Sequence, residues 1–288
     1  SFIGGCLGTS NVLAGFDLGI PTYGTLAHSW TMAFAEEEVA FRRFAEIYGE
    51  RAVLLVDTYD SVEGVRKALR QGLPFRGVRL DSGDFLETSR QVRKVLDAAG
   101  RADAQILASG DLNEYTIEEL MRQKAPIDLF GVGTDLVTSR DAPALSGVYK
   151  LVEIESGAGA RATAKFSESK ISYPGTKQIF RFSGRFAEPG GEYARDVLGL
   201  ASEQFTGAET LLEPVMENGK LIRPLPSLER IQARAAENLA RLPARYRRLE
   251  ASETYPVEKS RALQDLLESV RSRYMPLPAA AGGGGKSK

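Results

Sequence analysis

The densest group of chemically capable side chains in the sequence is Arg79-Leu80-Asp81-Ser82-Gly83-Asp84. It follows a short apolar run over 75–80 and precedes a helical pattern. Carboxylates take cations or ribose hydroxyls, and free helix N–H groups take anions, so this turn fits a sugar phosphate or its metal. The competing reading is that Asp81, Ser82 or Asp84 caps the following helix. His28 is the only histidine and sits in Gly24-Thr25-Leu26-Ala27-His28-Ser29. An imidazole there could act as a general base or accept a phosphoryl group, or it could be a structural or surface residue. Gly131-Val132-Gly133-Thr134 has the makings of a phosphate cradle, since glycines let backbone N–H groups approach an anion; a plain strand-to-helix turn is the alternative. Asp57 and Asp60 could bind Mg²⁺ or ribose hydroxyls, with capping a competing role for Asp60. Ser109-Gly110-Asp111 could face ribose or phosphate, again with capping as the alternative for Asp111.

Composition removes several other chemistries. Cys6 is the only cysteine, so an internal disulfide is excluded and a reducing, cytoplasmic setting is expected. One cysteine and one histidine also exclude Cys-based and multi-histidine metal sites. Lys+Arg number 37 against Asp+Glu 38, which gives no reason to expect a nucleic-acid partner or an anionic membrane. No apolar run approaches the roughly 18 residues needed to span a bilayer. A Ser-His-Asp hydrolase would want a Gly-x-Ser-x-Gly elbow, which the sequence lacks. Gly285-Lys286-Ser287 is no P-loop, because the first glycine is missing and no strand precedes it.

Positioning these residues requires a repeating scaffold. Ser1–Gly5 reads as the tail of a strand, and Gly8-Thr9-Ser10-Asn11 opens a short helix that Gly15 ends. Pro21–Ala27 reads as a strand running into His28, and 36–48 as a helix ended by Gly49. Strands are predicted over 52–56, 75–80, 104–108 and 127–130, and helices over 60–71, 84–99 and 114–124. Asp60 and Glu63 resemble a capping box. Landmarks at 28, 57, 81, 109 and 131 give the beat of strand–helix units, hence a parallel sheet or barrel. Every strand ends in polar, charged or glycine residues, as where barrels build their sites, so an irregular TIM-like αβ barrel is expected over 1–155. A β-rich segment should follow over 156–226, with turns at Pro174-Gly175, Pro189-Gly190-Gly191 and Asn218-Gly219. Ser227 should cap a helix to Arg241, and a second helix should run from about Pro256 to Arg273, within C-terminal helices over 227–275. The Pro/Ala/Gly/Lys-rich tail over 276–288 is expected to be disordered.

Taken as a set, these motifs resemble the nicotinate phosphoribosyltransferases, type II phosphoribosyltransferases. The resemblance rests on Gly8-Thr9-Ser10-Asn11-Val12-Leu13-Ala14-Gly15, on Gly24 to Ser29, on Arg79 to Asp84, on Phe130 to Asp135 and on Tyr173-Pro174-Gly175-Thr176-Lys177-Gln178. Nicotinamide phosphoribosyltransferases share the Asp81-Ser82-Gly83-Asp84 type of motif, but the surrounding sequence reads closer to the nicotinate branch. The resemblance implies a distorted αβ barrel in a homodimer. It implies transfer of phosphoribosyl from phosphoribosyl pyrophosphate to nicotinate, with Mg²⁺, and with ATP hydrolysis coupled through a phosphohistidine at His28. Arg79 and Asp81 would lie near the pyridine ring and ribose. Ser109, Gly110 and Asp111 would lie on the ribose side, and Gly131, Gly133 and Thr134 around the 5′-phosphate. Thr9, Ser10 and Asp57 join the expected substrate- or phosphate-binding residues.

The family's N-terminal domain, an arginine-containing segment just upstream and a contribution from the partner subunit are implied to complete the site. The chain opens on Ser1 in mid-pattern, which is the expectation for an internal piece of a longer protein, inactive by itself. Two other readings stay open. A phosphosugar aldolase or isomerase would want a strand-end lysine, for which Lys150 is the only remote candidate. A non-catalytic fragment could bind phosphorylated ligands or only form an oligomer interface. A type I phosphoribosyltransferase is disfavoured, because Leu54-Leu55-Val56-Asp57-Thr58 lacks the second acid and the Thr-Gly loop.

Overall fold

The computed structural model describes residues 1–144, 147, 149–157, 159–167, 170–184, 191–250 and 252–274. The chain divides into two compact units, Ser1–Leu145 and Ser146–Lys288. In the first, helices α1 (Val12–Leu18), α2 (His28–Met32) and α3 (Glu37–Tyr48) precede a four-stranded sheet. Its strands are β1 (Val53–Leu55), β2 (Gly77–Leu80), β3 (Gln105–Ser109) and β4 (Leu129–Gly131), all parallel and in chain order. Helices α4 (Ser61–Arg70), α5 (Phe85–Ala98) and α6 (Glu114–Arg122) connect them, and α7 (Thr134–Thr138) follows.

All four residues of β2 are buried, as expected of a strand covered on both faces by crossover helices. Leu54, Val78, Leu80 and Ile106 from the strands meet Val65 of α4 and Val92 of α5, every one of them fully buried. Each such side chain contributes about 1.5–3 kcal/mol through the surface it removes from water. Helix entry is fixed by side-chain caps. Asp60 accepts from Glu63 N at 2.7 Å, Asp84 from Glu87 N at 3.0 Å and Asn113 from Thr116 N at 3.0 Å. Each is worth about 1 kcal/mol. Of the capping candidates Asp81, Ser82 and Asp84, it is Asp84 that caps α5. Asn113 caps α6, and Asp111 instead adopts a left-handed φ of 46° two residues earlier.

Register gathers the strand ends. Leu80 pairs with Ala108, and Ser109 pairs with Gly131, so Asp81, Ser109 and Gly131 finish side by side at the C-terminal edge. The sheet stays open among the described residues. The architecture is mixed α/β around a parallel sheet, and no closed barrel is present there.

Three local expectations are corrected in this unit. Residues 1–5 form turns, and 21–27 supply only an isolated bridge between Thr9 and Thr22. Neither stretch has the neighbouring strand that would satisfy its backbone as a ladder. Helix α1 runs through Gly15 to Leu18 and ends at Gly19, whose φ is 69°. Gly15 is no terminator but a close approach: a Cβ there would lie 2.2 Å from Thr22 Cγ2.

The second unit is β-rich and then helical. Its strands begin with two antiparallel pairs, β5 (Glu153–Ser156) with β6 (Gly159–Ala162) and β7 (Phe166–Ser167) with β8 (Lys170–Ile171). Strands β9 (Lys177–Ser183) and β10 (Tyr193–Leu200) then pair antiparallel at the centre of a sheet, with β11 (Glu209–Thr210) beside β9. Strands β12 (Met216–Glu217) and β13 (Lys220–Leu221) form a hairpin across Asn218-Gly219, whose φ values of 48° and 74° suit the tight turn foreseen there. Gly175 also turns with positive φ, at 75°. Pro189 and Gly190 of the third turn, and the tail over 275–288, lie outside the described residues.

Ser227 caps α8 (Leu228–Arg241) through Arg230 N, as expected. The expected helix from Pro256 is corrected: Val257–Lys259 is β14, parallel to β10, and α9 (Arg261–Tyr274) starts only after Ser260. The pairing is non-local, with Asp196 N donating to Pro256 O at 3.0 Å and Ser260 N to Leu198 O at 2.9 Å. Among the described residues no helix is long and apolar enough to cross a membrane.

Candidate active site

The C-terminal edge of the first unit's sheet holds a connected polar cluster. Arg79, the third of the four residues of β2, is only 6% exposed. Its Nη1 donates to Asp81 Oδ1 at 2.7 Å and to Ser109 Oγ at 3.0 Å, while Nη2 donates to the Leu26 carbonyl. One guanidinium thus ties β2, β3 and the segment leading into α2. The Ser109 hydroxyl in turn donates to Asp81 Oδ1. From the end of β1, Asp57 Oδ2 accepts from the Asp81 backbone N–H at 2.8 Å and from the Ser82 hydroxyl at 2.9 Å, which shapes the β2–α5 turn. Asp57 Oδ1 is buried without a hydrogen-bond partner.

His28 closes the cluster. It is the first residue of α2, so the turn of helix aims its ring at the strand ends. Nε2 lies 3.4 Å from Asp81 Oδ2, and Nδ1 lies 3.2 Å from Thr58 Oγ1. The side chains of His28 and Asp81 remain 38% and 28% exposed, open to a ligand. Helix α2 is itself docked, because Trp30 Nε1 donates to Ala40 O of α3 at 3.2 Å. Helix α3 is docked on α4 by the buried Glu37, 3.1 Å from Lys67 Nζ. Burial pushes the Glu37 carboxyl above its ordinary range, against the pull of Lys67. Lys67 is also pushed up, chiefly by its hydrogen bond to Glu37.

Among the expected residues, His28, Asp57, Arg79, Asp81 and Ser109 are joined directly. Gly110 belongs with them: its φ is 97°, and a Cβ would stand 2.1 Å from the Asp81 carbonyl oxygen. Only glycine accommodates both constraints. Gly131 ends β4 beside Ser109, with Gly133 at the N-cap of α7 and Thr134 its first residue. That loop is linked to the start of α6 by Asn113 Nδ2 donating to Asp135 Oδ2 at 3.4 Å.

Other expected residues are engaged elsewhere. Thr9 Oγ1 accepts from Asn11 N at 3.1 Å, and its backbone bonds to Pro21 and Tyr23; Ser10 and Asp111 are exposed. Asp60 serves as the cap of α4. Lys150 is exposed outside both strands and helices, not at a strand end. Two participants had no place in the sequence reading of the site. Thr58 directly follows Asp57, and its position at a strand end was the available signal. The Leu26 carbonyl carries no side-chain signal at all.

Chemically, the cluster presents an imidazole and one carboxylate oxygen to solvent, backed by a buried cation. Such a wall can hold hydroxyls and stabilise charge that develops during group transfer. The comparisons with known proteins bear on the family of the chain. Residues 2–172 match the nicotinate phosphoribosyltransferase (NAPRTase) family, and residues 200–267 match the nicotinate phosphoribosyltransferase C-terminal domain. The chain is 42% identical, over 94% of its length, to nicotinate phosphoribosyltransferase pncB2 of Mycobacterium tuberculosis, and spans 58% of that protein. It is 38% identical over 90% of its length to nicotinate phosphoribosyltransferase of Bacillus subtilis, and spans 59% of it. Among solved structures, human nicotinic acid phosphoribosyltransferase superposes with a TM-score of 0.71 at 26% identity, covering 94% of this chain and 66% of that one. By sequence match across most of its length and by fold, the chain belongs to the nicotinate phosphoribosyltransferase family.

Proposed function

We propose that this chain carries the catalytic rim of a nicotinate phosphoribosyltransferase, which joins nicotinate to phosphoribosyl pyrophosphate and releases nicotinate mononucleotide and pyrophosphate. The observation behind this reading is the convergence of His28, Asp81, Arg79 and Ser109 on one sheet edge. Loss of pyrophosphate from the sugar passes through an oxocarbenium-like state. The protein's main tasks are to hold ring and ribose in line and to balance charge. Asp81 Oδ2 is the acceptor available to ribose hydroxyls. Arg79 has its edge engaged within the protein, so it acts through its charge and by bracing the wall. Gly131, Gly133 and Thr134 would receive the 5′-phosphate, a reading supported by their place beside Ser109.

In this proposal ATP is coupled through His28: an imidazole nitrogen attacks the γ-phosphorus, ADP departs, and water later takes the phosphoryl group. Mg²⁺ belongs to the same chemistry as the counter-ion of pyrophosphate. Among the described residues no group of three or more His, Cys, Asp or Glu side chains is placed to hold a metal, and the Asp57 Oδ2 lone pairs are taken by protein donors. In this proposal the ion travels with the pyrophosphate of the substrate.

We further read the open sheet as an arc of an αβ barrel, because its chain-order strands show no reversal of the doubly wound kind. A homodimer in the cytoplasm completes the proposal. Exposed Val12, Leu13 and Phe16 on α1 support a further subunit or segment covering that helix.

The test uses the full-length enzyme with nicotinate, phosphoribosyl pyrophosphate, Mg²⁺ and ATP. Nicotinate mononucleotide should form, His28 should become phosphorylated, and His28→Ala should abolish stimulation by ATP. A His28→Ala enzyme with full ATP stimulation would remove the histidine role. Preference for nicotinamide or quinolinate would remove the substrate assignment.

A further inference from the structure

The imidazole of His28 is held by two partners of different chemistry. Asp81 Oδ2 can only accept, so its charge 3.4 Å away favours the ring form that carries the proton on Nε2. The neutral ring then keeps its lone pair on Nδ1, where the Thr58 hydroxyl stands 3.2 Å away. A hydroxyl serves both ring states: it donates to the Nδ1 lone pair of imidazole and accepts from Nδ1–H of imidazolium.

Neither contact is short. The Nε2–Asp81 separation of 3.4 Å exceeds the roughly 2.7–2.9 Å of a strong charge-assisted bond, so Asp81 alone holds the ring loosely. The other charged groups nearby are committed elsewhere, Arg79 to Asp81, Ser109 and Leu26, and Asp57 to the β2–α5 turn. Only one of the two flips of the ring places both nitrogens on partners.

We propose that Thr58 is a positioning residue for His28: its hydroxyl holds Nδ1 and, with Asp81, fixes one ring flip and the Nε2–H tautomer. Nδ1 is thereby kept as the nitrogen with the available lone pair. A ligand approaching that nitrogen displaces a hydroxyl and not a charged group, which costs little desolvation. The inference deepens the reading of His28 as a reacting group, but its test is independent of turnover.

Because His28 is the only histidine, ¹⁵N-histidine labelling of the 288-residue chain reports on one imidazole. At an alkaline pH where the nitrogen shifts no longer change with further rise in pH, they give the tautomer ratio directly. The Nε2–H form should dominate in the unaltered chain. Thr58→Val should lower the Nε2–H to Nδ1–H ratio by about fivefold, the worth of one net hydrogen bond, and Thr58→Ser should restore it. Should Thr58→Val fail to fold, Thr58→Ala removes the same hydroxyl without adding apolar bulk and carries the same expectation. An unchanged ratio in the Val or Ala variant overturns the proposal, as does a Ser variant that behaves like Val. A full-length enzyme that ignores nicotinate would refute the functional reading and leave this tautomer result standing.

Discussion

Two clusters that join the same three functional groups occupy the two units of this chain. In the first, Arg79, Asp81 and Ser109 join a guanidinium, a carboxylate and a hydroxyl; in the second, Arg181, Asp196 and Tyr255 do the same. Both oxygens of the Asp196 carboxylate are engaged. Arg181 grips it with two bonds, Nε to Oδ1 at 2.9 Å and Nη2 to Oδ2 at 2.8 Å, and Tyr255 adds a third at 3.1 Å. Only 10% of the Asp196 side chain is exposed, and Arg181 and Arg241 both stack on the Tyr193 ring within 4.4 Å of its centre. Tyr193 then donates to Asn238 of α8 at 2.6 Å, so the whole network clamps that helix onto its sheet. Asp81 is gripped through one oxygen only. Both Arg79 and Ser109 use Oδ1, and Oδ2 is left facing His28 and solvent. What separates a brace from a site here is the acceptor capacity left over, not the inventory of residues.

The contrast can be broken most severely at Asp196. Asp196→Ala strands the Arg181 guanidinium beside a ring already stacked on it, and should destabilise the second unit by about 3–5 kcal/mol, read as a lower urea midpoint. Loss of less than about 1 kcal/mol would mean that the bidentate pair is ornamental and that engaging both oxygens is no mark of a brace.

A finer probe is the pH dependence of the same cluster. Burial, with the Asp196 charge behind it, pushes the Tyr255 hydroxyl up to about 12 from an ordinary 10. A group raised in the folded state stabilises it fully below the unfolded value and progressively less as pH rises through the folded one. The chain should therefore lose stability between about pH 10 and 12 through this group. Tyr255→Phe should flatten that part of the curve and cost about 1 kcal/mol at neutral pH through one lost hydrogen bond. An unchanged alkaline profile would show that Tyr255 is not part of that network.

How far the sequence foretold these clusters differs by residue. The strand cores and helix starts of the first unit were legible because their signals are local: an apolar run at 52–56, the cap at Asp60, the stop at Gly49. Asp57, Asp81 and Ser109 were legible as a rim, with Arg79 just before it, because polar residues recur at the strand ends, whereas His28 stood out as the single histidine and the strand expected before it did not form. Thr58 was passed over, since nothing in its neighbourhood says that a ring 30 residues away will lean on it. The Leu26 carbonyl, being backbone, is invisible to any pattern of side chains. Residues 21–27 looked like a strand by composition, but strands need partners and the sequence does not display the partner. Val257 shows the reverse: it fell on a helical spacing, while pairing with β10, some 60 residues earlier, made its segment a strand. The Arg181–Asp196 brace escaped notice for the same non-local reason.

The difference between the two carboxylates is tested most directly by Asp81→Asn in the full-length enzyme, with nicotinate mononucleotide formation and urea stability measured on the same sample. The amide keeps the shape and one acceptor but loses the charge that faces His28 and that the proposed function assigns to the ribose. Turnover should fall by about 10²–10⁴-fold, while stability changes by no more than about 1–2 kcal/mol. An Asp81→Asn enzyme with near-normal turnover, or one that unfolds as readily as the Asp196 variant, would contradict the assignment of this edge as the site.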